Sequence, residues 1–499
     1  MLTTRTRVAA LALALTALTA CTGNKAKTDP APVEDPSEPT STNANKIRAA
    51  KACYPSLQVE AAARTVPAYA ALPMNDAAPE VELIGEHNGV KAIKVGDMMV
   101  LHKPTPANQI VSAQLYFLDA PSRLELGTQG IERLAWSVAV DGGTDSTPKD
   151  ALNAKLASVG ASIGSFTDRD YSGVAMKTIS PYFDEVWPMF EQAVLEPAMP
   201  EAEVELARER QLAAIQGICE NADSLVSHIT SQAFFSGHPY ADGQLGTAKT
   251  VESFTRDELR GYQRALVSPN RMLLVVVGDV PTDAIIEKVS AKLARVKSTA
   301  PAATATPEVT QPETLFTVAE KKELPTNYIF GLFAAPAPNH PDYAAMVVGM
   351  DLLSDRLFEE VRTKRNLTYA VSAGLSSRTS NYGYFYVTAV DPAATIPVMF
   401  AEVERIKNDG VTAQQLQETL NVFITQHYMG QETNSSQASA LADAYILTGD
   451  YKSAAGFLDE LGAVKPADVQ RVFKQYVSGV QFGVVGPEPT AIDPTLFER

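Results

Sequence analysis

The chain is poor in the residues that carry most enzyme chemistry. Its 499 residues include three cysteines and six histidines. No two of His87, His102, His228, His238, His340 and His427 stand three or four apart, the spacing at which one helix aims two imidazoles at one metal. A Gly-x-Ser-x-Gly elbow, a phosphate-binding loop and a Gly-x-Gly-x-x-Gly fingerprint are all missing. Lys and Arg number 42 against 58 Asp and Glu, a net charge of −16 with no dense basic patch, which argues against nucleic-acid binding. The one long apolar stretch, Val8–Ala20, falls short of the ~20 residues a membrane-spanning helix needs. What remains is 45% hydrophobic and 20% charged, an ordinary globular composition on a chain long enough for several domains.

The N-terminus reads as an export signal, with Arg5 and Arg7 ahead of the apolar run and small residues after it. It ends Leu18-Thr19-Ala20-Cys21, which resembles a bacterial lipobox and makes Cys21 the expected lipidation site, with residues 1–20 as signal peptide. Residues 21–45 are rich in Pro, Asp, Ser and Thr, as expected of a disordered tether. Thr22, in place of Asp, resembles the outer-membrane default of lipoprotein sorting, so the expected location is the bacterial envelope, anchored to the outer membrane and facing the periplasm. In that oxidising setting Cys53 and Cys219 either form a disulfide or stay as two separate buried thiols.

The two halves of the remaining sequence resemble each other at a displacement of about 210 residues. Ala161–Thr178 matches Val371–Thr388, with Gly164 against Gly374 and Tyr171 against Tyr382. Arg256–Val280 matches Pro466–Pro487, each an amphipathic helix followed by an apolar strand that ends in Gly278 or Gly486. A Pro-, Ala- and Thr-rich stretch, residues 298–313, separates them as a linker. The expected plan is an extension over 46–80, a domain over 81–297 and a second over 314–499. Strands such as Ile110–Leu118, Met272–Val277 and Tyr328–Ala334 group together as often as they alternate with helices such as Pro200–Gln216, Tyr343–Glu360 and Ala413–His427. That pattern predicts two duplicated α+β domains, each with a mainly antiparallel sheet.

Pro121-Ser122-Arg123-Leu124-Glu125 followed by Gly130-Ile131-Glu132-Arg133-Leu134-Ala135-Trp136-Ser137 resembles the frame of the insulinase, pitrilysin and mitochondrial processing peptidase family, in which Ser-Arg-x-Glu leads into Gly-x-Ala-His-Phe-Leu-Glu-His. The resemblance extends from Val81 to Pro487 and implies a clamshell arrangement. It also sets Arg133 and Ser137 where the family carries its two zinc-binding histidines, and Trp136 where it carries the glutamate that activates water. The stretch from Glu209-Arg210 places Gln216 at the third ligand. Arginine is a fixed cation and tryptophan shuttles no proton at neutral pH, so these four positions read as a degenerate site with no zinc in this chain.

In the second half Arg362 and Leu367-Thr368-Tyr369 resemble the family's Arg then Leu-x-Tyr motif, which implies that Arg362 and Tyr369 grip a substrate peptide. The residues alone favour a structural reading, in which Arg362 pairs with Glu359 or another acid at a helix end and Tyr369 starts a strand; the family frame reverses that preference. The resemblance implies a non-catalytic, zinc-free subunit that binds extended peptide and assists an active homologous partner carrying His-x-x-Glu-His, with zinc only in that partner. Two other readings stand beside it: an active metallopeptidase with atypical ligands, and a non-proteolytic assembly lipoprotein of the envelope.

Overall fold

A computed structural model describes residues 64–119, 127–241, 243–301, 305–310 and 316–498. Cys21, Cys53 and the Ser122–Glu125 turn lie outside these residues. The first half runs β1 (Val81–His87), β2 (Val90–Val95), β3 (Met98–Pro104), β4 (Ile110–Leu118), α1 (Ile131–Asp141), α2 (Lys149–Ser158), β5 (Ser162–Thr167), β6 (Tyr171–Ile179) and α3 (Phe183–Leu195). It continues through α4 (Glu201–Glu220), α5 (Ala222–Phe234), α6 (Ala248–Ser253), α7 (Arg256–Leu266), β7 (Met272–Gly278) and α8 (Thr282–Ala291). The second half begins β8 (Phe316–Glu320), β9 (Asn327–Ala334), α9 (Tyr343–Leu357), a π-helical turn at Phe358–Thr363, β10 (Val371–Leu375) and β11 (Tyr382–Ala389). It ends α10 (Pro392–Asp409), α11 (Ala413–Gly430), α12 (Asn434–Thr448), α13 (Ser453–Ala463), α14 (Pro466–Tyr476) and β12 (Gln481–Gly486).

The duplication extends to strand order. The seven-stranded sheet reads β5-β6-β4-β7-β3-β2-β1 and the five-stranded sheet β10-β11-β9-β12-β8, so five strands follow one path in both. In each sheet one pairing is parallel, β3 with β7 and β8 with β12, and the others are antiparallel. This is the α+β architecture expected from the sequence. Local chemistry agrees with it: Asn88 and Gly89, both at positive φ, make the two-residue turn that closes β1 on β2. Thr255 and Glu258 form a capping box that starts α7. Several expected boundaries move: α4 continues past Gln216 to Glu220, α11 continues past His427 to Gly430, the helix from Tyr343 gives way to the π-turn at Phe358, and Tyr369 precedes its strand, which begins at Val371.

The central strand β7 is buried along its whole length, because both faces of the sheet are covered. Met272, Leu274 and Val276 enter the main core of the first half with α1 and α7. Leu273, Val275 and Val277 turn the other way and meet Ala438, Leu441 and Ala442 of α12, a helix from the second half. The reverse happens on β12. Phe482 and Val484 face the second half's own core, while Val485 packs on Ala222, Leu225, Val226 and Ile229 of α5, from the first half. Each half thus lends one helix to cover the other's sheet, and each fully buried Leu, Ile or Val in those contacts contributes ~1.5–3 kcal/mol.

Polar ties follow the same seam. The hairpin tips that the duplication makes equivalent meet each other: Asp168 pairs with Arg378 at 3.0 Å, and the Thr379 N–H donates to Asp170 at 3.3 Å. The Tyr171 hydroxyl donates to Asp443 of α12 at 2.8 Å, and Asn434 at the start of α12 donates to the Ile110 carbonyl at 2.6 Å. The segment ahead of β1 straps onto the first half through Arg64, paired with Glu258 at 2.8 Å and lying over the Phe254 ring.

Gly483 of β12 lies under α5, and a Cβ there would stand 2.0 Å from Thr230 Oγ1. Gly483→Val is therefore expected to cost ~1–3 kcal/mol of stability by overpacking. Adding Thr230→Ala to that variant should restore part of the loss, read from urea unfolding midpoints; an unchanged midpoint in Gly483→Val would contradict the close approach of α5.

Candidate functional site

The positions that resemble a zinc site begin at the N-terminus of α1. Gly130 caps that helix at φ +87, and a side chain there would run into the Leu245 carbonyl at 2.5 Å. Gln211 of α4 holds the same point, its amide donating to the Gly130 carbonyl at 3.0 Å and to Leu245 at 2.8 Å. The start of α1 is thereby locked against α4 and the 245–246 loop. Gln211 is a side chain that no motif singled out; its only sequence signal is a lone amide among the apolar positions of a helix.

Along α1 the chemistry is not that of a metal centre. Trp136 is fully buried and stacked on Phe117 of β4, with ring centroids 4.3 Å apart and planes 19° from parallel. The expected place of a water-activating carboxylate is thus filled by an indole built into the core. Arg133 reaches solvent, and partial desolvation lowers its pKa from the ordinary arginine value. Ser137 is half-buried one turn further along. Gln216 donates to Glu220, one turn on in its own helix, at 2.9 Å. Among the described residues no hydrogen bond joins Gln216 to Arg133 or Ser137, and no group of three His, Cys, Asp or Glu side chains could hold a metal ion. A cation, an alcohol, an amide and an indole do not make a zinc donor set. His102 is buried on β3, its pKa lowered to about 4 by burial and then by Lys91, with Nδ1 3.0 Å from Thr282 Oγ1.

The second-half pair does come together. The π-turn after α9 carries Arg362, whose guanidinium carbon lies 4.5 Å from the Tyr369 ring centroid and 4.8 Å from that of Phe358. Tyr369 is 81% exposed and Phe358 43%. Single-turn π-helices are frequent at functional sites because they re-aim side chains on an otherwise regular helix. Glu359 does not take Arg362 as an ion-pair partner: it lies 3.9 Å from Lys364. Glu360 accepts from Arg365 and from Lys364, which hold its carboxyl down at about 2. The acids beside Arg362 are thus engaged by other cations, and the guanidinium of the half-buried Arg362 lies over two rings. Upstream on the same helix, Asp351 and Asp355 precede Phe358 and Arg362 at helical spacing. Burial pushes Asp351 up to about 6, with the Asp355 charge adding to it, and burial also raises Asp355.

Residues 127–248 match the family described as insulinase (peptidase family M16), and residues 253–423 match the one described as peptidase M16 inactive domain. The first span holds Arg133, Trp136, Ser137 and Gln216; the second holds Arg362 and Tyr369. An uncharacterized zinc protease of Mycobacterium leprae is 23% identical over 353 residues, 68% of this chain and 78% of that protein. The peptidase M16 inactive domain of Pseudomonas fluorescens superposes with a TM-score of 0.72 at 17% identity, covering 80% of this chain and 98% of that one. The periplasmic protease PqqL of Escherichia coli superposes with a TM-score of 0.70 at 15% identity, covering 85% of this chain and 49% of PqqL.

An aspartate whose folded pKa lies near 6, above its unfolded value near 4, is held in its ionised form at a cost once the pH passes between the two. Asp351→Asn should therefore stabilise the protein, with a gain that grows from about pH 4 to about pH 6 and is flat above. The plateau is expected on the order of 1–3 kcal/mol. Melting temperatures of parent and variant across that range test it, and a variant that melts lower at pH 8 would contradict a strained carboxylate at 351.

Proposed function

Since the chain belongs to the insulinase family of peptidases, we propose that it works as a zinc-free subunit that grips an extended peptide and completes the active site of a zinc-bearing homologue. The carrying observation is the contrast between the two sites. Donors that could hold zinc are replaced at all three ligand positions, while Arg362, half-buried, and Tyr369, exposed, stand together, and no acidic side chain among the described residues pairs with either. A guanidinium fork and a phenol both donate hydrogen bonds, which suits them to a peptide carbonyl and to negative charge developing on it. The chain spans about half the length of PqqL, so a partner of similar size would supply the other half of such an assembly. A peptide captured here would be cut by the partner's metal-bound water, and this chain's part is to hold the peptide and steady the charge.

The proposed location is the bacterial envelope, with Cys21 lipidated and the folded body facing the periplasm from the outer membrane. Cys219, buried near the end of α4, is disulfide-bonded, which supports an oxidising compartment; Cys53 is its proposed partner. Replacing Cys21 with Ala should abolish lipoprotein processing and release the chain from the membrane fraction. Normal maturation and membrane retention of that variant would rule out the lipid anchor.

The central test uses the reconstituted pair of subunits. Arg362→Ala or Tyr369→Phe should leave folding and complex formation intact while lowering peptide hydrolysis by roughly a hundredfold to a thousandfold, the usual effect of removing one donor aimed at developing charge. Parental kcat and KM in both variants would remove these residues from the mechanism and favour an assembly lipoprotein without protease function.

A further inference from the structure

The Arg362–Tyr369 pair has a third member that the family motif does not name. Phe358 opens the π-turn and lies four residues before Arg362, so the two side chains share one face. The Arg362 guanidinium carbon sits 4.8 Å above the Phe358 ring, nearly as close as to Tyr369. Phe358 is partly exposed although Leu357, just before the turn, and Val361, within it, are fully buried.

An arginine on a surface loses side-chain entropy of ~2 kcal/mol when it is fixed in one rotamer. Rings beside the guanidinium offset part of that loss, and its N–H groups can donate to a peptide carbonyl. Neighbouring charges act in the same sense: Glu360 is occupied by Lys364 and Arg365, and Glu359 by Lys364, so none draws the guanidinium away. Resting on the reading that Arg362 grips peptide, we infer that Phe358 is a positioning residue, the second wall of an aromatic slot that holds the Arg362 guanidinium ready for an extended peptide's carbonyl. Lysine, which has no plane to stack, does not replace arginine in such a slot.

The test measures binding of a dye-labelled unfolded polypeptide, a reduced and carboxymethylated protein, to the purified full-length chain by fluorescence anisotropy, beside melting temperatures. Phe358→Leu is expected to weaken binding roughly two- to fivefold, the worth of one exposed cation–π contact, with the melting point unchanged. Phe358→Tyr should bind like the parent, and Arg362→Lys should lose affinity as Arg362→Ala does. Phe358→Met serves as a second ringless variant if Phe358→Leu melts early. Parental affinity in both ringless variants, with Arg362→Ala weakened, overturns the role of Phe358 and leaves the grip by Arg362 standing. Parental affinity in Arg362→Ala as well overturns the grip and the inference built on it.

Discussion

Each sheet in this protein needs a helix that it does not own. β7 and β12 are buried on both faces, and in each half the local helices cover one face while a helix lent by the other half covers the second. Ala438, Leu441 and Ala442 of α12 close the back of the first sheet, and Ala222, Leu225, Val226 and Ile229 of α5 close the back of the second. Separating the halves would expose both faces to water together, so they are bound to fold as one body around that exchange. The ion pair and hydrogen bonds at the equivalent hairpin tips, Asp168 to Arg378 and Asp170 to Thr379, set the register of the seam. They contribute less than the apolar burial beside them, since partly exposed ion pairs are worth only ~0–1 kcal/mol.

This scaffold positions both candidate sites, and it builds the first into the core. α1 is pinned at its start by Gly130, Gln211 and Leu245, and beside it by Trp136 stacked on Phe117. A carboxylate at position 136 would have to be buried with its charge compensated by a metal or by hydrogen bonds; an indole fills the same space mainly as apolar volume and buries one uncharged N–H. The helix therefore serves the core. The π-turn after α9 does the opposite and brings Phe358 and Arg362 out to the surface beside Tyr369. Evidence for a peptide-gripping role lies in what those side chains leave free, and the wiring of Glu360 to Lys364 and Arg365 keeps them so.

Much of the fold was legible because it repeats. Gly164 with Gly374, Tyr171 with Tyr382 and Gly278 with Gly486 mark corresponding strands, and the strand order of the two sheets agrees with that correspondence. Among the site residues, Arg133, Trp136, Ser137, Gln216, Arg362 and Tyr369 came from the spacing of a family frame. Phe358, Gln211 and the raised pKa of Asp351 did not, because nothing in a local window distinguishes a ring over a guanidinium, or an amide pinning a distant helix, from ordinary side chains. The buried stripe of α4 runs on past Gln216 to Cys219, one turn beyond the expected end of the helix.

The amino-acid sequence alone determined the α+β class, the duplication and the chemical unfitness of the α1 positions for zinc, because these depend on residue type and periodicity along the chain. Tertiary structure decided which faces of β7 and β12 are covered by α12 and α5, that the two hairpin tips meet, and that Arg362 rests on Phe358 and Tyr369 in preference to pairing with Glu359. The reason is that both sides of a continuous apolar strand look alike in sequence. Which helix reaches the second side is settled only when the whole chain has closed on itself, and the free orientation of a surface arginine only when its neighbours have chosen their partners.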